Sequence, residues 1–169
     1  MAKNLKIANS SQVRPSADEA SVAANEGFSG KEYNAVAHAA NLRSINLLRS
    51  AMMSNPAQFD AAEAISLSLG RELQSCQFDP ETQVAAAIFK FSILAKAGRK
   101  KAFSCSCEYA VVYQMPADAT EAAATGFCRN VGGFAAYPYF RALAAQMAWN
   151  AGIELPPLPS IAAMPIVPK

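Results

Sequence analysis

Two long alternating stretches on either side of Gly98 constrain this chain more than any other feature. Before the glycine, Phe89, Phe91 and Ile93 alternate with Lys90 and Ser92; after it, Phe103, Cys105, Cys107 and Tyr109 alternate with Ser104, Ser106 and Glu108. A period of two places each apolar set on one face of an extended strand. Gly98 followed by Arg99-Lys100-Lys101 is ordinary turn chemistry, so the stretches form an antiparallel hairpin joined by a solvated basic turn. Such a sheet has open edges and an apolar face that the rest of the chain must cover.

Upstream, Ile65, Leu67 and Leu69 alternate with Ser66, Ser68 and Gly70, a further strand with one polar face. It ends in a turn at Gln77-Phe78-Asp79-Pro80. Asn41 to Met53 is ambiguous: Leu42, Ile45, Leu48 and Met52 fit helical spacing, and propensity favours helix until Pro56 ends the element. Lys31 to Ala40 has good helix formers and predicts a short helix. Past Pro116 the pattern turns helical. One helix runs over about 119–131 and is broken at Gly132-Gly133; a second runs from Phe134 to Ala151, with Tyr137, Phe140, Leu143, Ala144 and Met147 as its apolar stripe. Strands grouped before helices indicate an α+β domain over 31–155. Residues 1–30, poor in large apolar side chains, read as a flexible arm. Residues 156–169 read as a proline-rich extended tail. Open edges in a sheet this small favour self-association.

Several function classes lack their parts. The formal charge of +2 gives no basic footprint for nucleic acid. No run approaches the ~20 apolar residues of a membrane span, and Met-Ala-Lys-Asn is followed by no signal-peptide block, so a cytoplasmic protein is expected. The four cysteines, 76, 105, 107 and 128, show no metal-ligand spacing; Cys105 and Cys107 share one strand face, and free thiols are expected rather than a metal site. The lone His38 has no nucleophile or paired acid in its neighbourhood, so no catalytic residues are assigned and the chain is read as not an enzyme. No Gly-rich loop ending in Lys-Ser/Thr is present, and no cofactor is expected.

The last third carries a recognisable pattern. Gly132-Gly133-Phe134 leads into Tyr137-Pro138-Tyr139-Phe140-Arg141, a helical run, Gly152, and Leu155-Pro156-Pro157-Leu158. This resembles the SecB family, whose last helix opens with an aromatic-Pro-Tyr-x-Arg motif and ends at a glycine before a Pro-x-Leu segment. Ala102-Phe103-Ser104-Cys105 resembles the family's later strand region. The resemblance spans about 42–168, but only the stretch from Tyr137 to Leu158 is specific. It implies strand, not helix, over 42–53, and a four-stranded antiparallel sheet with two C-terminal helices packed on it. It further implies an ATP-independent holdase, a homotetramer built as a dimer of dimers, that holds unfolded polypeptides or preproteins in apolar grooves for export. Delivery to the SecA motor would use acidic residues on the outer sheet surface. At the matching positions this chain has Ser50, Ser54 and Ser106, with Glu108 the acid nearby. A SecB-like chaperone dedicated to one client such as an antitoxin, or a structural oligomer, is the alternative.

Candidate client-binding residues are Tyr109, Val111, Met147, Trp149, Leu155 and Leu158, each with core or interface packing as its plainer role. Met147 and Trp149 stand about 200° apart around a helix and cannot face one core. Leu155 and Leu158 are favoured because a proline-rich apolar tail has little reason to fold inside a core. Tyr137, Pro138, Tyr139 and Arg141 form the structural motif, with the Arg141 guanidinium suited to hold a carbonyl or carboxylate at a subunit contact.

Overall fold

The computed structural model describes residues 29–62 and 64–160; most of the expected arm (1–28) and the end of the tail (161–169) lie outside them. The element order is α1 (Gly30–Ala39), β1 (Asn41–Ser54), α2 (Pro56–Asp60), β2 (Ile65–Asp79), β3 (Val84–Ala97), β4 (Lys100–Gln114) and α3 (Glu121–Asn150). The strands make one antiparallel sheet in the order β1-β4-β3-β2. The expected α+β class with a four-stranded antiparallel sheet is therefore what the chain adopts.

The hairpin forms as the alternation requires. Ala97 pairs with Lys100 across Gly98-Arg99, and Gly98 has φ 60°, a value that glycine adopts without the Cβ clash of other residues and that a two-residue II′ turn needs at this position. On β3, Ala85, Ala87, Phe89, Phe91, Ile93 and Ala95 are buried; on β4 the buried row is Phe103, Cys105, Cys107, Tyr109, Val111 and Tyr113, with Ala102 buried beside it. These two rows are the floor of the core. Phe91 is its centre, with ring centroids 5.3 Å from Phe140, 5.9 Å from Tyr137 and 6.3 Å from Tyr109.

Asn41–Ser54 is strand, not the helix its spacing suggests. Its hydrogen-bond partners lie on β4, far away in sequence, and pairing with a sheet edge overrides a weak local helix preference. The register breaks between Leu42 and Ser44 and between Leu47 and Arg49. These bulges explain why the apolar residues do not alternate cleanly.

The two expected C-terminal helices are one. Helix α3 continues from Glu121 to Asn150 through Gly132-Gly133 and Pro138, about 45 Å of helix. Here the glycines serve close packing rather than a break. A Cβ at Gly132 would lie 2.7 Å from Phe89 Cε2, and one at Gly133 3.2 Å from Arg71 Nη1. Their lack of side chains lets the helix backbone settle directly on the sheet. Helix α1 begins with a full capping box between Ser29 and Glu32 and packs on α3, with the Tyr33 and Phe127 rings 6.3 Å apart.

Beyond the helix, the chain turns at Gly152 and folds back. Ile153 N–H donates to the Ala148 carbonyl, and the Tyr137 hydroxyl donates to the Pro159 carbonyl. An extended run from Gly152 to Pro159 covers about 22 Å, and the helix from Asn150 back to Tyr137 about 20 Å. The tail thus lies alongside α3, with Ile153 and Leu158 buried.

Candidate functional site

Helix α3 determines which part of the sheet stays open. Phe127 lies over Tyr113 (ring centroids 5.2 Å), and Met147 Sδ is 3.6 Å from Cys105 Sγ. The helix therefore runs antiparallel to β4. It packs on β2, β3 and β4 and barely touches β1. On the helix-bearing face of β1 stand Leu42, Leu47 and Met52, opposite Tyr113, Tyr109 and Cys105. Those β4 partners are 4%, 4% and 1% exposed, whereas Leu42, Leu47 and Met52 are 48%, 47% and 45% exposed. The result is an apolar strip along one edge of the core, about 33 Å long from Leu42 to Met52. Leu48, extra at the second bulge, adds a further exposed apolar side chain.

An exposed apolar row of this kind, interrupted by Ser50 between Leu47 and Met52, is the sort of surface that marks an interaction site. Its chemistry is non-directional: it can bury apolar groups of a partner without reading their order. The strip has an exposed strand edge beside it, since β1 pairs on one side only. A length of about 33 Å accommodates an extended segment of about ten residues.

The candidate binding residues read from the sequence divide sharply. Tyr109 and Val111 lie on the correct face but are 4% and 0% exposed, under the helix. Their β1 neighbours Leu47 and Ile45 are the ones at the surface or half-buried. Met147 points inward and is half-buried; Trp149, on the opposite side of α3, is 75% exposed. Leu155 is half-buried and Leu158 is 4% exposed. The reasoning that a proline-rich apolar tail stays outside the core thus fails for Leu158: Tyr137 tethers the tail, and an extended segment can bury alternate side chains while its prolines face solvent. Of the motif residues, Tyr137 is buried, while Pro138, Tyr139 and Arg141 are exposed. Leu42, Leu47 and Met52 went unrecognised, because their common face exists only once β1 is a bulged strand.

The opposite face of the sheet is mixed in charge. Ser106 and Glu108 face outward, and Glu108 Oε2 lies 4.0 Å from Arg49 Nε; Glu72 pairs in register with Lys90. Ser50 and Ser54 sit opposite the buried Cys107 and Phe103, so they face the helix side and contribute nothing to the outer surface. The bulge at Leu48 is the reason, since one extra residue reverses the facing of all that follow.

The thiols form two neighbouring pairs. Cys105 and Cys107 Sγ atoms are 3.8 Å apart; their contact lowers the first pKa and raises the second. Cys76 on β2 meets Cys128 on α3, and this hydrogen bond draws the Cys76 thiol down despite its burial. All four are free. Among the described residues no group of three or more His, Cys, Asp or Glu side chains could hold a metal ion, and no helix is long and apolar enough to cross a membrane.

The four-stranded antiparallel sheet with one long helix laid across it is shared with a solved SecB-like chaperone. The SecB-like chaperone Rv1957 of Mycobacterium tuberculosis, solved with a ChAD peptide from the Rv1956 HigA1 antitoxin, superposes with a TM-score of 0.63 at 20% identity, covering 76% of this chain and 95% of that one. A Streptococcus agalactiae protein of unknown function aligns at 10% identity and a TM-score of 0.37, over 70% of this chain and 94% of that one. No family model and no curated protein matches the sequence.

Proposed function

We propose that this protein is an ATP-independent chaperone that binds unfolded polypeptide along the β1 strip. The observation that carries the reading is the row Leu42, Leu47 and Met52, half exposed on the face that the rest of the sheet buries. Each apolar client side chain buried there contributes on the order of 1.5–3 kcal/mol, and several weak subsites on one flexible chain reinforce one another through effective concentration. Trp149 and Tyr139, exposed on α3, are further apolar surface for a client or for a second copy. Assembly into a homotetramer is part of the proposal and supplies a partner for the open β1 edge.

The choice of recipient has two forms. Export through SecA would call for an acidic outer surface, and here Glu108 and Glu72 are interspersed with Arg49 and Lys90. Dedication to a single client is favoured by that mixed charge and by the antitoxin peptide bound to the Mycobacterium tuberculosis protein.

The test is light scattering during refolding of an aggregation-prone protein, with no nucleotide present. Suppression at a stoichiometric amount of chaperone supports general client binding. No suppression at large excess eliminates it and leaves a single-client or structural role.

A further inference from the structure

Arg71 is the buried charged residue of the described core, at 8% exposure. It sits on the helix-bearing face of β2, opposite Phe91, in a row with Ile65, Leu67, Leu69 and Leu73. Its guanidinium makes no hydrogen bond and no ion pair with the described residues. Glu72 cannot serve, because it points to the other face and lies opposite Lys90. Burial lowers the Arg71 pKa, and no carboxylate among the described residues acts to raise it. A guanidinium has five N–H donors; the Arg71 stem is buried while its nitrogens keep contact with solvent, so the charge is held at the sheet edge, open to an incoming group and without a counter-charge among the described residues. Apolar packing is no reason for it, since a leucine fills each flanking position of the row.

The surroundings are shaped for a ligand at that point. Gly133 lets the side chain lie against the helix, where a Cβ would come within 3.2 Å of Nη1. Arg71 Cζ stands 5.6 Å from the centroid of Phe134, a ring that is itself 50% exposed. β2 is the outer strand of the sheet, so a group arriving at the edge meets a positive charge and an aromatic face together. A second copy packing helix to helix cannot neutralise it, because Glu121 is the one acidic residue of α3 and lies at its start.

We infer that Arg71 and Phe134 form a carboxylate-selective subsite, at which an acidic side chain of a bound polypeptide docks on the guanidinium while a neighbouring apolar side chain packs on the ring. The inference rests on the client-binding reading and gives it a preference: apolar segments interrupted by Asp or Glu are held better at the β2–α3 edge than purely apolar or basic ones. A planar guanidinium donates two parallel N–H···O bonds to a carboxylate, and the cation–π contact with Phe134 helps hold it in place.

Fluorescence anisotropy with the full chain tests this, using short labelled Leu- and Phe-rich peptides that differ only in a central Glu or Gln. The Glu peptide is expected to bind about tenfold more tightly. Arg71→Met is expected to abolish that difference and to leave the melting temperature unchanged or raised, since an unpaired charge is removed. Phe134→Ala, a change at an exposed side chain, is expected to narrow it. Equal binding of both peptides by the wild type overturns the inference and leaves the client reading intact. So does a preference that survives Arg71→Met, or, if that variant fails to fold, one that Phe134→Ala leaves undiminished. A change of oligomeric state in Arg71→Met with no peptide preference in the wild type assigns the charge to a subunit contact instead. Binding of neither peptide, with no suppression of aggregation, overturns both readings.

Discussion

Replacing Leu42, Leu47 and Met52 together by serine separates client binding from folding. Each side chain is about half exposed, so the half that remains accessible offers a client about 0.7–1.5 kcal/mol per residue. The triple variant therefore loses about 2–4.5 kcal/mol of client affinity, roughly 30- to 2000-fold, with the lower end expected because association also orders the client. Met53 supplies the control: it stands opposite Ser104 on the outer face and is 38% exposed, so Met53→Ser removes apolar area comparable to that of one strip residue from the opposite face. The assay is anisotropy of a labelled, reduced and unfolded client, with circular dichroism to establish that each variant retains its sheet. A triple variant that is folded and binds like the wild type refutes the strip as the binding surface. Equal losses in the triple variant and in Met53→Ser refute the assignment to one face.

Three further outcomes follow from the packing. Gly132→Ala places a methyl 2.7 Å from Phe89 Cε2 in a core where Phe89 is 2% exposed; about 1–3 kcal/mol of stability is lost, measured by urea unfolding. Burial raises Tyr109 and Tyr113 to about 12 from an ordinary 10.0. Because the folded pKa lies above the unfolded one, the stability their neutral forms supply is complete below pH 10 and is lost as pH rises toward 12. Stability titrated over that range, with tyrosinate absorbance, checks it. Of the four thiols, Cys76 is half-buried while Cys105, Cys107 and Cys128 are buried, and its pKa is drawn down by the hydrogen bond with Cys128 and by Arg129. Native-state alkylation read by mass spectrometry is expected to modify Cys76 first; simultaneous modification of all four contradicts the packing.

What the sequence determined by itself is local in origin. The β3–β4 hairpin follows from alternation and from the Gly98 turn, the β2 strand from its Ser-interrupted apolar row, and the helical last third from its spacing. Such signals involve neighbours along the chain, so they survive without knowledge of the fold. The remainder depended on contacts between distant segments. β1 is a strand because β4 offers it a hydrogen-bonding edge, and its bulges, invisible in the residue order, turn Leu47 and Met52 to one face and Ser50 and Ser54 with them. Gly132-Gly133 reads as a helix break until Phe89 is seen to require the space. Leu158 reads as exposed until the Tyr137 hydroxyl is seen to hold the tail. Where α3 lies across the sheet decides that Tyr109 and Val111 are core while Leu42, Leu47 and Met52 are surface. Composition marks all five as apolar, and only the helix position separates those it covers from those it leaves to a partner.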